Sequence, residues 1–185
     1  MLSAVDGGGA LTGCRAQVSF GAAADNVSFG RVSTASGAEF WPQISTTLGS
    51  ANGPPKTTPV IFNEVMYHPV DDAGGADNSQ NEFIELHNPA AGAVDVGGWR
   101  MKGDSDFTFA AGASVPANGY VLLVTFDPAN AATLAAFRAK YGLSAATPIV
   151  GPYAPMLSNA TQNLELAFPA VFAGATHFVL VDKVE

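Results

Sequence analysis

Residues 60–100, VIFNEVMYHPVDDAGGADNSQNEFIELHNPAAGAVDVGGWR, decide the fold class of this chain. Its apolar residues crowd into short runs, Val60-Ile61-Phe62 and Phe83-Ile84-Glu85-Leu86, bounded by Asn, Pro, Asp and Gly. That punctuation marks strands rather than a helix. Between the two runs lies an acidic, glycine-rich loop, and after them a turn at Asn88-Pro89 and an aromatic anchor, Trp99, behind Gly97-Gly98. The stretch reads as two half-buried strands joined by a loop, then a turn, then an anchor.

The same punctuation extends in both directions. The 20 glycines and 12 prolines recur at the roughly 8–12-residue spacing of an all-β sandwich or barrel. Strands are expected at 16–20, 60–66, 82–88, 99–102, 106–109, 120–125, 164–168 and 178–183. Val115–Gly119 reads as a turn whose glycine admits a permissive backbone. One segment differs. Asp127-Pro128-Ala129-Asn130 supplies a cap and a first-turn proline, AATLAAFRAKY is rich in alanine, and Gly142 closes it. Leu134, Phe137 and Tyr141 share one face, enough to lay a short helix on a sheet.

Composition narrows the function classes. Of 185 residues 48% are hydrophobic, ample for a core, while 13% are charged, about half the usual share. The net charge of −8, with only eight basic residues, leaves no stripe to neutralise phosphates, so nucleic acid is an unsuitable partner. A single cysteine, Cys14, excludes an intrachain disulfide and a multi-thiolate zinc site. No apolar run reaches the roughly 18–20 residues of a membrane span. Met1-Leu2-Ser3-Ala4 lacks the basic start and apolar core of a signal peptide, so a cytosolic chain or a fragment of a longer secreted protein is expected.

Three motifs stand in fixed order: Asn63-Glu64-Val65-Met66-Tyr67-x-Pro69, Glu82-Phe83-Ile84-Glu85-Leu86-x-Asn88-Pro89 and Val94-Asp95-Val96-x-Gly98-Trp99-Arg100. Together they resemble the opening of a lamin-tail domain, the immunoglobulin-like β-sandwich of nuclear lamins and of many large secreted bacterial proteins. The resemblance implies an all-β, immunoglobulin-like antiparallel sandwich over residues 56–185, with one short helical insert. Residues 1–55, with Ser28-Phe29-Gly30-Arg31, Phe40-Trp41-Pro42 and Thr47–Asn52, look like an irregular closing portion of a preceding repeat plus a linker. Leu2–Val5 and Ala16–Phe20 also echo Leu164–Phe168 and Val181–Glu185 across glycine-rich turns. The chain stops at Glu185, where the resemblance implies a further strand, so residues 1–54 are expected either to fill the open groove within the chain or to fill that of a neighbouring copy. The second is strand donation, which makes filaments head to tail, with Phe20, Phe29, Phe40 and Trp41 as interface residues.

The family is built for attachment, so the resemblance implies a non-catalytic structural or adhesive module, extracellular or on a cell surface. Its partner would be protein, as copies of itself or neighbouring repeats, without membrane insertion or a small-molecule substrate. The alternative is a calcium-dependent binding module appended to a secreted hydrolase. Calcium is the one cofactor to weigh, because Asp71, Asp72, Asp77, Asn78 and Glu82 offer hard oxygen ligands on one loop. The spacing does not match an EF-hand, and a solvated acidic loop is the plainer expectation. Glu64, Glu82 and Glu85 could pair as acid and base, but no motif ties them together. His68, His87 and His177 are scattered, and neither a nucleophile elbow nor a phosphate loop occurs. No catalytic residues are expected.

Overall fold

The computed structural model describes residues 2–16, 18, 20, 22–34, 37–56, 59–71, 74–160 and 163–184. Two compact units divide the chain, Met1–Thr57 and Thr58–Glu185.

The first unit holds two separate ribbons. β1 (Leu2–Val5) pairs antiparallel with β2 (Leu11–Ala16), and β3 (Phe29–Thr34) with β4 (Gly37–Pro42). Asp6 closes the first ribbon, its carboxylate accepting the Gly8 and Ala10 amides at 2.9 and 3.0 Å. That turn moves the expected strand at 16–20 upstream. Leu11–Ala16 pairs back onto Leu2–Val5, and Val18 and Phe20 lie outside any strand. Gln17 and Ser19 lie outside the described residues. Of the internal echo, Leu2–Val5 falls on this hairpin and Leu164–Phe168 on the last one, whereas Ala16–Phe20 shares only Ala16 with a strand.

The second unit is the sandwich. Its elements are β5 (Ile61–Met66), β6 (Phe83–His87), β7 (Val94–Asp95), β8 (Arg100–Gly103), β9 (Phe107–Thr108), β10 (Ser114–Val115) and β11 (Tyr120–Val124). The helix α1 (Ala131–Tyr141) follows, then β12 (Ile149–Val150), β13 (Leu164–Phe172) and β14 (Ala175–Val184). One sheet runs β12-β11-β6-β5, the other β14-β13-β8-β9, and β7 and β10 form a small ribbon. All the pairings are antiparallel except β11 with β12. Strands account for the fold, and the all-β, immunoglobulin-like sandwich expected from residues 60–100 is the architecture observed.

Alternation explains how one strand serves two cores. Val121 and Leu123 of β11 join Ile84, Leu86, Met101, Leu164, Leu166 and Val181 between the sheets, with Trp99 beside them. Leu122 and Val124 point to the other face, where Phe83, Phe126 and the helix residue Phe137 cover them. Residues of β11 after Tyr120 are therefore buried on both faces, which is why that run has no polar alternation. Gly98, at φ 76°, makes the turn that delivers Trp99 to the core, and the Trp99 ring packs 5.9 Å from Phe168.

The helix forms where expected, one turn later. Asn130, not Asp127, is the cap, its side chain accepting the Thr133 amide at 3.2 Å. Asp127 instead closes its own turn by accepting the Ala129 amide, so Pro128 precedes the helix. At the other end Gly142 adopts the left-handed conformation, and the Arg138 guanidinium binds the carbonyls of Ser144 and Thr147. Strand ends shift by a residue or two from those expected, and the last hairpin is longer: β13 runs to Phe172 and β14 starts at Ala175.

Candidate functional site

The acidic loop and the carboxylates around it are where chemistry would be sought. Glu82 stands at its end, just before β6, and is fully buried. Its Oε2 accepts the Leu157 amide at 2.8 Å and the Tyr153 hydroxyl at 3.2 Å, two partners more than 70 residues away in sequence. Oε1 is buried and meets no donor. Burial pushes the Glu82 carboxyl above its ordinary value, and the nearby charge of Asp77 adds to this, against the lowering pull of Leu157 and Tyr153. The Tyr153 hydroxyl is driven far up as well, first by burial and then by the Glu82 charge.

The remaining loop residues go elsewhere. Asp71 lies 3.6 Å from the His68 imidazole, Asp77 accepts from the Asn159 amide at 3.2 Å, and Asn78 accepts from Asn81 at 2.5 Å. Asp72 lies outside the described residues. Ser79–Asn81 forms one 3₁₀ turn, pinned by the Thr125 hydroxyl on the Ser79 carbonyl and the Tyr141 hydroxyl on that of Asn81. Among the described residues no three His, Cys, Asp or Glu side chains gather as a metal would need. With Glu82 turned inward to Tyr153 and Leu157, calorimetric titration with calcium is expected to give no saturable heat at millimolar ion. A stoichiometric heat would restore the loop as a calcium site.

Two of the other acids meet. Glu64 and Glu85 are cross-strand neighbours on β5 and β6, and Glu85 Oε1 accepts the Asn63 amide at 2.6 Å. Glu82 is apart from them, committed to the 153–157 loop, so the three do not form one acid–base centre. His87 stacks on Tyr120 at 4.4 Å, an aromatic pair on the same sheet face as Phe83 and Leu122, the face against which the helix packs. A cleft of about 480 Å³ lies between α1 and the 3₁₀ turn, lined by Asn78, Gln80, Asn81, Thr133 and Lys140 beside Phe137.

The polar residue that sequence reading passed over is Asn88. It is fully buried, and its Nδ2 donates to the carbonyls of Gly92, Val115 and Pro116 at 2.9, 3.2 and 2.9 Å, while Oδ1 accepts the Ala90 amide at 3.0 Å. Asn88-Pro89 had the look of simple strand punctuation, and only its place directly after an apolar run hinted at more. Ser105 is likewise buried, with its hydroxyl on the Pro155 carbonyl.

In the first unit the four aromatic residues expected at an interface lie on or near one ribbon. Phe20 packs 5.6 Å from Phe29, Arg31 sits 5.0 Å over Phe40, and Trp41 donates from Nε1 to Glu39 at 3.0 Å while staying 40% exposed. Gln43 folds over Gly30, so closely that a β-carbon there would fall 2.5 Å from the Gln43 side chain.

The family model that matches this chain is described as the Lamin Tail Domain and covers residues 54–167, more than half of the chain. No curated protein matches it.

Proposed function

The chain belongs to the lamin tail domain family, and on that premise we propose that it is a non-catalytic structural module of an extracellular or cell-surface protein, which joins copies of itself. One observation carries this. The buried polar side chains of the sandwich are spent on loops: Asn88 on three carbonyls, Glu82 on the 153–157 segment, Ser105 on Pro155. Groups used this way rigidify a scaffold, whereas a catalytic group needs a free face toward a substrate. The low charged share suits a surface meant to pack against other protein, and it motivates the extracellular setting.

Sedimentation velocity of the whole chain tests the joining function. A mass that rises with concentration through the micromolar range is expected, and a monomer at every concentration would overturn it.

A further inference from the structure

The helix covers only one end of the sheet face it packs on. The pairings set the side chains of that face in rows across β5, β6 and β11: Met66, Phe83 and Val124, then Glu64, Glu85 and Leu122, then Ile61, His87 and Tyr120. Phe137 and its neighbours on the helix pack over Phe83, Leu122 and Val124. In the last row Tyr120 is 42% exposed, and its ring stacks 4.4 Å from the His87 imidazole. This end of the face is a flat aromatic shelf.

Glu64 and Glu85 border the shelf. They stand opposite each other across the ladder, a placing that costs free energy when both are charged. Asn63, at the irregularity between Phe62 and Glu64, donates to Glu85 Oε1 at 2.6 Å and orients that carboxylate. Among the described residues no cation pairs with either glutamate. The cations of the sandwich are engaged elsewhere. Arg100 lies 4.0 Å over the Phe178 ring, Lys102 binds Asp106 at 2.8 Å, and Arg138 binds the carbonyls of Ser144 and Thr147. Lys140 sits over the ring of its neighbour Tyr141, and Lys183 has a partner of its own.

Charge selects the occupant. The first unit balances Asp6, Asp25 and Glu39 against Arg15, Arg31 and Lys56, so the sandwich carries the whole charge of −8. Two facing carboxylates in that field, beside an exposed ring, are complementary to a cation on an apolar stem. Arginine has that form. Its guanidinium is a planar fork that serves two carboxylates at once, stays charged at neutral pH and stacks on aromatic faces. Diagonal neighbours on one sheet face lie about 7–8 Å apart, so a head between Glu64 and Glu85 leaves the methylene stem over the Tyr120–His87 stack. We propose that this end of the sheet face is a docking site for an arginine side chain of a partner protein. The site goes beyond the joining of copies and stands without it.

Nuclear magnetic resonance of the isotope-labelled full chain tests it, with a blocked glycine peptide holding a single arginine as the probe. Saturable shifts are expected at the amides of Glu64, Glu85, His87 and Tyr120. The same peptide with citrulline, which keeps the shape of the group without its charge, is expected to leave them unmoved. Glu64→Gln combined with Glu85→Gln removes a like-charge pair and leaves the ladder intact, so the fold is kept, and the arginine peptide is expected to bind about tenfold more weakly. Tyr120→Ala is expected to weaken it about threefold. Shifts that drift over the whole acidic surface without saturating, that survive the paired glutamine change, or that citrulline reproduces would overturn the site. Saturation of the same amides by calcium chloride, with no response to the peptide, would overturn it in favour of a metal ion.

Discussion

Asn88→Asp is expected to destabilise the sandwich by about 4 kcal/mol, which is a large part of a typical domain's stability. The reason is the sign of its surroundings. Asn88 Nδ2 faces three carbonyl oxygens, and an aspartate would set a buried oxygen against all of them. Asn88→Ala removes the same donor without adding a charge and should cost less, about 2–3 kcal/mol, for the polar groups left unpaired. Urea unfolding followed by circular dichroism measures both, and the order aspartate worse than alanine is the diagnostic result. Equal effects would mean that the loops relax enough to let water reach the site. Because this side chain ties the end of β6 to the Gly92 loop and to the turn after β10, its loss loosens one end of the sandwich rather than a single contact.

The second large effect concerns Glu82 and depends on pH. Glu82→Ala leaves the Leu157 amide and the Tyr153 hydroxyl without their acceptor in a closed interior, a loss of about 3 kcal/mol at neutral pH. Glu82→Gln keeps an acceptor for both and never ionises. The folded-state value of Glu82 is raised above its ordinary 4.5, chiefly by burial. Its contribution is therefore fully present below the unfolded value and is lost as pH rises through the higher folded one. From neutral pH down toward 4.5 the wild type should gain stability relative to Glu82→Gln. Denaturant midpoints compared at several pH values read this difference. A gap that closes on acidification in favour of the glutamine variant would contradict the buried, unpaired Oε1.

Legibility in the sequence followed locality. The strands of residues 60–100, the Gly98–Trp99 anchor and the Ala131–Tyr141 helix are written in short-range patterns, and the fold follows from them. The helix start slipped because Asp127 and Asn130 are both good caps, and only the backbone decides that Asp127 closes a separate turn. The roles of Glu82 and Asn88 were hidden for a different reason. Glu82 is adjacent in sequence to the acidic loop but is held by residues 153 and 157, and Asn88 by carbonyls up to 28 residues away. No local pattern encodes such long-range partners. In the first unit Leu11–Ala16 was not readable as a strand, because its pairing depends on the Asp6 turn.

The claim that the chain joins copies of itself is tested most directly by hydrogen exchange at several protein concentrations. A set of surface amides should become more protected as concentration rises, while Ile84, Leu86 and Leu123 in the sandwich core stay unchanged. Protection that is independent of concentration at every amide would contradict it.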